Sequence, residues 1–318
     1  MELDFEILPT MDIVFQYIFS SEGSENGLLG FLNAIQESMN QPLATSVEIQ
    51  NPFNLQAFLE DKQTVVDLKA RDSSGRVYDV EMQTVNKKAF PNRVVYYASQ
   101  LYTSQLKEGM DYSALNQVIS IVLMSFELFP TVPELHNVFE LRNIRDSKIR
   151  LTDILQFHTL ELTERKWQYY LTQLKEETLE GRQDLRLYNW VDFLLNANQK
   201  TEAEMENMVL RTPGLDTTYE KFRIFTSDDQ LREQMRLRRK AEMDHRAEIE
   251  YGKEEGRIEG IIEERKAVLH RILQLRFGEQ VPEEIFYKIS QMTDGDRLQK
   301  YFDKATCAKT LEEFVENL

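Results

Sequence analysis

Residues 61 to 83 read DKQTVVDLKARDSSGRVYDVEMQ, and the acids in this stretch recur at a spacing that suits cation chemistry. Side chains alternate faces along a strand, so Val65, Asp67, Lys69 and Arg71 share one face while Val66, Leu68 and Ala70 share the other. On the next strand Asp79, Glu81 and Gln83 share a face, with Tyr78, Val80 and Met82 opposite. If Ser73, Ser74 and Gly75 form a three-residue hairpin loop with the glycine left-handed, paired numbers sum to about 148 and Asp67 faces Glu81. A register slip of one residue would place the two acids on opposite faces. Two carboxylates across a hairpin repel unless they are separated, protonated or neutralised, and an oxygen-only donor set suits Mg²⁺ or Mn²⁺. Such an ion would polarise a phosphodiester, activate water and stabilise the leaving oxyanion, with Gln83 as a third polar group orienting the water. The competing reading is a hairpin with one solvated face of mixed charge.

Cations and aromatics lie close by in sequence. Lys69 shares a strand face with Asp67 and is a candidate to meet a scissile phosphate. A helix expected from Asn92 to Lys107, closed by Gly109, carries Arg93, Tyr97 and Gln100 at i, i+4 and i+7, one face that would suit phosphate or base contact. Against this stands the commoner use of helically spaced tyrosines as core. Lys87 and Lys88 form the basic pair near this helix, and Arg236 to Lys240 is a second basic run, flanked by acids.

The elements that must position these residues follow from hydrophobic periodicity. Two amphipathic helices are expected between Thr10 and Ser38, with Gly23 and Gly27 as punctuation. Strands are expected at Val47 to Pro52, Thr64 to Arg71, Val77 to Thr84 and Gln117 to Phe126, and an extended segment at Phe157 to Leu162. Residues 166 to 227 read as helical, with Trp190, Phe193 and Leu194 marking an apolar face. Asp228 to Leu275 reads as a long charged helix. Gly252, Gly256 and Gly260 recur in it every fourth residue, which implies either a break or close helix packing, since an interior glycine costs about 1 kcal/mol against alanine; a break is the favoured expectation. Two short helices around Pro282, and a cap-like start at Thr310, close the chain.

Composition bounds the function classes. The 318 residues, 42% apolar, suffice for one large domain or two modest ones. One cysteine, Cys307, precludes an intrachain disulfide or a multi-cysteine zinc site, and with four scattered histidines a histidine-rich metal site is not expected. With an acidic N-terminus and no long apolar run, a cytoplasmic protein is expected. The net charge of −16 opposes sequence-independent DNA binding, so any DNA contact needs divalent cations or a local basic patch.

Several ordered motifs carry a resemblance. PTMDIVFQYIF with a following FLNAI, then DKQTVVDLKARDSSGRVYDVEMQ, NRVVYYASQLYTSQLKEGMDY and QVISIVLMSF, resemble the bacterial Rpn family of recombination-promoting nucleases and transposases, within the PD-(D/E)XK nuclease superfamily. The likeness is strong over residues 8 to 165, continues through NWVDFL and returns in EEGRIEGIIEERK and LQLRFGE. It implies an α/β fold: a PD-(D/E)XK nuclease-like core with a mixed central sheet flanked by helices, then an all-α C-terminal region. The expected division is a core at 1–165, a helical extension at 166–227, a long charged helix at 228–275 and a small helical unit at 276–318. The resemblance puts metal-binding acids at Asp67 and Glu81, glutamine at Gln83 where the superfamily usually has lysine, and a further candidate metal ligand at Asp12. Gln16 departs from the family's usual lysine, which weakens the expected phosphate contact. The implied activity is a Mg²⁺- or Mn²⁺-dependent DNA endonuclease promoting recombination or mobility of a genetic element. Its alternatives are a phage-defence or toxin-like nuclease with the same site, and a weakly catalytic interaction protein that dimerises through its C-terminal helices.

Overall fold

The computed structural model describes residues 5–59, 67–86, 88–176 and 185–316. A six-stranded sheet organises residues Met1–Arg236, the first of two compact units. Its strands are β1 (Val47–Ile49), β2 (Leu68–Asp72), β3 (Val77–Gln83), β4 (Val118–Met124), β5 (His136–Arg142) and β6 (Arg150–Glu161), ordered β1-β2-β3-β4-β6-β5. The β1–β2–β3 meander is antiparallel, β3, β4 and β6 run parallel, and β5 returns antiparallel on β6. The sequence-expected residues Thr64 to Val66 lie outside the described residues. Phe157 to Leu162 proves to be mostly the second half of the longer β6, paired with a strand β5 that the sequence analysis did not expect.

Both faces of the sheet are covered. Leu68, Ala70, Tyr78, Val80, Ile119, Ile121 and Leu123 face a core shared with α1 (Asp12–Ser20), α2 (Glu25–Ser38), α6 (Leu185–Asn196) and α8 (Leu215–Ser227). Trp190 on α6 meets Phe19 and Phe31, with ring centroids 5.6 Å apart in each pair. Gly27 corrects the expected punctuation: it lies inside α2, where a Cβ would collide with the Thr218 hydroxyl, so glycine there admits α8 rather than ending a helix. On the other face, Phe90, Val94 and Ala98 of α4 (Phe90–Ser104) pack against Val77, Val118, Val122 and Met124. The short α3 (Leu55–Leu59) lies between β1 and β2, and α7 (Glu202–Arg211) between α6 and α8. A buried ion pair, Glu161–Lys166 at 2.8 Å, joins the end of β6 to α5 (Glu164–Glu176), while the second Glu161 oxygen accepts the N–H groups of Leu128 and Phe129.

The second compact unit is Leu237–Leu318. Helix α9 (Asp229–Phe277) is 49 residues long and continuous, which overturns the expected interruption. Nothing lies within 4 Å of a Cβ built at Gly252, Gly256 or Gly260, so this stretch tolerates the weak helix formers without packing on them. Three helices follow, α10 (Glu283–Ser290), α11 (Gly295–Cys307) and α12 (Leu311–Val315), the last starting at the expected cap, where the Thr310 side chain accepts from Glu313 N–H. Leu269, Leu273, Ile285, Leu298 and Phe314 form the core of this unit. Among the described residues no helix is long and apolar enough to cross a membrane.

The β2–β3 hairpin sets the register of the site. Its loop is Ser73, Ser74 and Gly75, with Gly75 at φ +91°, and the paired residues Leu68↔Val80, Lys69↔Asp79, Ala70↔Tyr78 and Arg71↔Val77 all sum to 148. Buried Asp72 organises the turn. One carboxylate oxygen accepts from Ser74 N (2.8 Å), Ser74 Oγ (2.7 Å) and Arg76 N (3.1 Å), the other from Arg76 Nε (2.6 Å) and Tyr78 Oη (3.0 Å). Burial pushes the Asp72 carboxyl up, but the hydrogen bonds from Ser74, Arg76 and Tyr78 and the Arg76 charge outweigh it and hold the group below the ordinary carboxylate value. Asp72→Ala strands a buried tyrosine hydroxyl and the Arg76 guanidinium, so urea unfolding should show a loss of about 2–4 kcal/mol. Unchanged stability would mean that the turn holds its register without this carboxylate.

Candidate functional site

The acids lie on the sheet face that α4 covers. Asp67 immediately precedes β2, and continuing the 148 register sets it opposite Glu81, a placement in which Cβ atoms stand about 4.5–5.5 Å apart. The Asn51 side chain, just past β1, fixes the backbone here: its amide donates to the Asp67 carbonyl (2.5 Å) and its oxygen accepts from Lys69 N–H (2.6 Å). Sequence reasoning missed Asn51, since its role depends on where β1 stops pairing with β2.

Glu81 is nearly enclosed, its side chain 12% exposed. One of its oxygens accepts from Arg93 Nη2 (2.8 Å) and from the Gln83 amide. Burial first, then the Asp67 charge, raise the Glu81 carboxyl, and Arg93 and Gln83 partly offset this. Asp79, paired with Lys69 and one step along from Glu81, is 8% exposed, and its carboxyl is pushed up to about 7 by burial and by the charges of Asp67 and Glu81, with Lys69 opposing. Asp79 was read as sharing the Glu81 face but was not singled out. The alternation Asp79, Glu81, Gln83 was the available signal, and the burial that perturbs Asp79 comes from α4, which strand spacing does not reveal.

Helix α4 supplies the polar cover. Ala89, left-handed at φ +63°, turns the chain so that Phe90 buries and Arg93, one turn on, reaches Glu81 with its guanidinium 5.8 Å from the Phe90 ring centroid. Asp67, Lys69 and Asp79 face Tyr97, Gln100, Leu101 and Ser104 of α4 across a cavity of about 330 Å³. The structure therefore brings together Asp67, Glu81, Gln83, Lys69, Arg93 and Tyr97. Tyr97 is 41% exposed, so it is not a core residue. Lys88 is exposed in the β3–α4 connection, and Lys87 lies outside the described residues. Asp12 stands in the first turn of α1, on the opposite face of the sheet, with its carboxylate accepting the Ile13 N–H (2.8 Å). Gln16, in place of the lysine the resemblance leads one to expect, is buried on the same helix.

Among the described residues no group of three or more histidine, cysteine, aspartate or glutamate side chains is arranged to hold a metal ion. Asp67 and Glu81 as a pair still fit a hard divalent cation. Mg²⁺ commonly keeps several waters and takes one or two carboxylates. Here two carboxylates share one face, and the Asp67 charge already raises Glu81, a repulsion that a bound cation would relieve.

A family model described as PD-(D/E)XK nuclease family transposase matches residues 9–252. No curated protein and no solved structure matches the chain.

The charge of Asp79 yields a pH test on the metal-free protein. Its folded value is raised, so its ionisation opposes folding. That penalty is absent below the unfolded carboxylate value near 4, grows as pH rises and levels off above about 7. Asp79→Asn should raise the melting temperature, with a larger gain at pH 8 than at pH 5 in thermal melts. A gain independent of pH would place the Asp79 carboxyl in an unperturbed environment.

Proposed function

Because the chain belongs to the PD-(D/E)XK nuclease family transposases, we propose that it is a divalent-metal-dependent DNA endonuclease. In this reading it uses Mg²⁺ or Mn²⁺ and serves recombination or mobility of a genetic element in the bacterial cytoplasm. The observation that carries the proposal is the Asp67–Glu81 opposition on a half-buried face, with Gln83 and Arg93 both on Glu81.

Asp67 and Glu81 would hold the ion, which supplies Lewis-acid stabilisation of the phosphodiester's developing charge. The chain's own residues do the rest. Gln83, on the strand face of Glu81, orients the attacking water with an amide that both donates and accepts. Lys69 contributes a positive charge beside Asp67, toward the scissile phosphate. Arg93 holds Glu81 in place and adds a cation for phosphate, which matters in a chain of net charge −16. Lys88 extends the positive charge along the approach to α4, and Lys87, outside the described residues, remains a DNA-contact candidate on sequence alone. The C-terminal helices would serve self-association as a homodimer, since the exposed glycine edge of α9 leaves room for a second helix. A phage-defence role would use the same site and the same chemistry.

Plasmid cleavage with and without Mg²⁺ tests the reading. Asp67→Ala and Glu81→Ala should abolish metal-dependent cleavage while circular dichroism stays unchanged, and cleavage by the wild type that survives chelation would overturn the metal assignment. Gln83→Ala should slow the reaction roughly 10- to 1000-fold with a smaller effect on metal affinity. Equal rates for this variant and the wild type would leave Gln83 as a strand residue without a part in the reaction.

A further inference from the structure

The cavity beside Asp67 is bordered by Asp79, Tyr97 and Gln100, polar groups to which the hydrolytic reading gives no part. It is lined by Lys69 and Asp79 from the hairpin and by Tyr97, Gln100, Leu101 and Ser104 from α4, whereas Glu81, Gln83 and Arg93 do not line it. It therefore lies alongside the metal-binding acid pair, on the side of Asp67 away from Arg93. The α4 residues recur at i, i+3, i+4 and i+7, one face of one helix. Tyr97 and Gln100 are exposed there, while Asp79 is more than nine-tenths buried and borders the cavity. The Lys69 charge stands opposite the Asp79 carboxylate, and the Tyr97 ring lies edge-on to that of Tyr96 with centroids 5.5 Å apart. A carboxylate, an amide, an ammonium and a phenol bordering one cavity offer donors and acceptors to a single external partner.

The volume, about 330 Å³, lies at the small end of ligand pockets, which span roughly 300–1,000 Å³, and leaves no room for a duplex. The lining combines one exposed aromatic ring with donors and acceptors of both kinds, the combination that reads an unstacked base by its face and its edge. A net charge of −16 adds a reason: with little electrostatic attraction to phosphates, affinity has to come from stacking and base-edge contacts.

We infer that this cavity is a subsite for one unpaired nucleobase of a DNA strand, stacked on Tyr97 and hydrogen-bonded at its edge by Gln100 and Asp79, with the neighbouring phosphate at Lys69 and the acid pair. The inference rests on the nuclease reading for its placement, and it makes single-stranded or bulged DNA the preferred substrate over a perfect duplex.

Binding of fluorescein-labelled single-stranded, bulged and fully paired oligonucleotides to the full chain, measured by anisotropy with Ca²⁺ in place of Mg²⁺, tests it. The single-stranded and bulged forms should bind at least about 10-fold tighter than the duplex. Tyr97→Leu should lose roughly 5- to 150-fold of that affinity, the size of one aromatic–base stack, and Tyr97→Phe should keep most of it. Both positions are exposed, so Gln100→Ala, with a smaller loss, leaves the fold intact. One abasic nucleotide placed along the strand should reproduce the Tyr97→Leu loss, and combining the two should add nothing. Additive losses, or losses equal for duplex and single strand, would overturn the subsite. So would tighter binding of single-stranded RNA of the same sequence. A calorimetric titration in which Asp79→Asn removes one of two bound Mn²⁺ ions would also overturn it, in favour of a second metal position. Failure of the wild type to cleave any DNA with Mg²⁺ or Mn²⁺ counts against the nuclease reading alone, because the binding and abasic results stand without turnover.

Discussion

The site depends on a single buried carboxylate that touches no substrate. Asp72 gathers the donors of its own turn and of Tyr78, and in doing so it fixes a three-residue loop between two strands. Because side chains alternate, one residue more or less in that loop would carry Asp67 to the opposite face from Glu81. The hydrophobic pattern enforces the same choice from the other side, since turning Asp67 over relative to Glu81 would also turn Leu68 and Ala70 of the same strand toward α4 and away from the main core. Polar turn and apolar core thus agree on one register, and the acids inherit their opposition from that agreement.

That register was legible in the sequence. Ser73, Ser74 and Gly75 between two alternating runs specify both the loop length and the left-handed residue, and the observed sum of 148 follows. Buried β4 and the helices α1 and α2 were legible for similar reasons, since their apolar residues recur with one clear period. The edge hairpin was not. His136 to Arg142 is half-exposed on an outer strand and carries no contrast between faces, so β5 left little periodic trace. Gly27 misled because a glycine that admits a neighbouring helix looks, in one dimension, like a glycine that ends its own. The glycines of α9 misled in the opposite way: a propensity cost of about 1 kcal/mol each suggests a break, yet a long continuous helix absorbs it. In the candidate site the acids and Gln83 could be placed from the pattern, while Asn51 and the burial of Asp79 depend on contacts between elements far apart in sequence.

The electrostatics of the site follow from how α4 lies on the sheet. Its apolar residues Phe90, Val94 and Ala98 settle over β3 and β4, which drives the acid-bearing face partly out of water. Desolvation is accordingly the largest contribution to the raised Asp79 and Glu81 carboxyls, ahead of the repulsion from Asp67. A solvated hairpin with the same acids would show neither shift. Mixed charge on an exposed strand face, the competing reading of the sequence, is therefore a poor description of this face: its acids are covered, and one of them is paired with an arginine from the covering helix.

Arg93 reaches that position through a backbone conformation that a side chain rarely adopts. Ala89 sits at φ +63°, a region that costs a residue with a Cβ about 1 kcal/mol or more. The turn it makes lets Phe90 bury against Phe126, with ring centroids 5.7 Å apart, and the helix that starts there delivers Arg93 to Glu81 one turn later. Burial of a phenylalanine contributes roughly 1.5–3 kcal/mol, enough to offset the strained residue. The arginine–glutamate pair thus rests on apolar packing as well as on the attraction of a nearly enclosed carboxylate for a partly exposed guanidinium. A cation arriving at Asp67 and Glu81 would compete with Arg93 for one carboxylate oxygen while leaving its helix anchored, which frees the guanidinium to meet an anion without moving the scaffold.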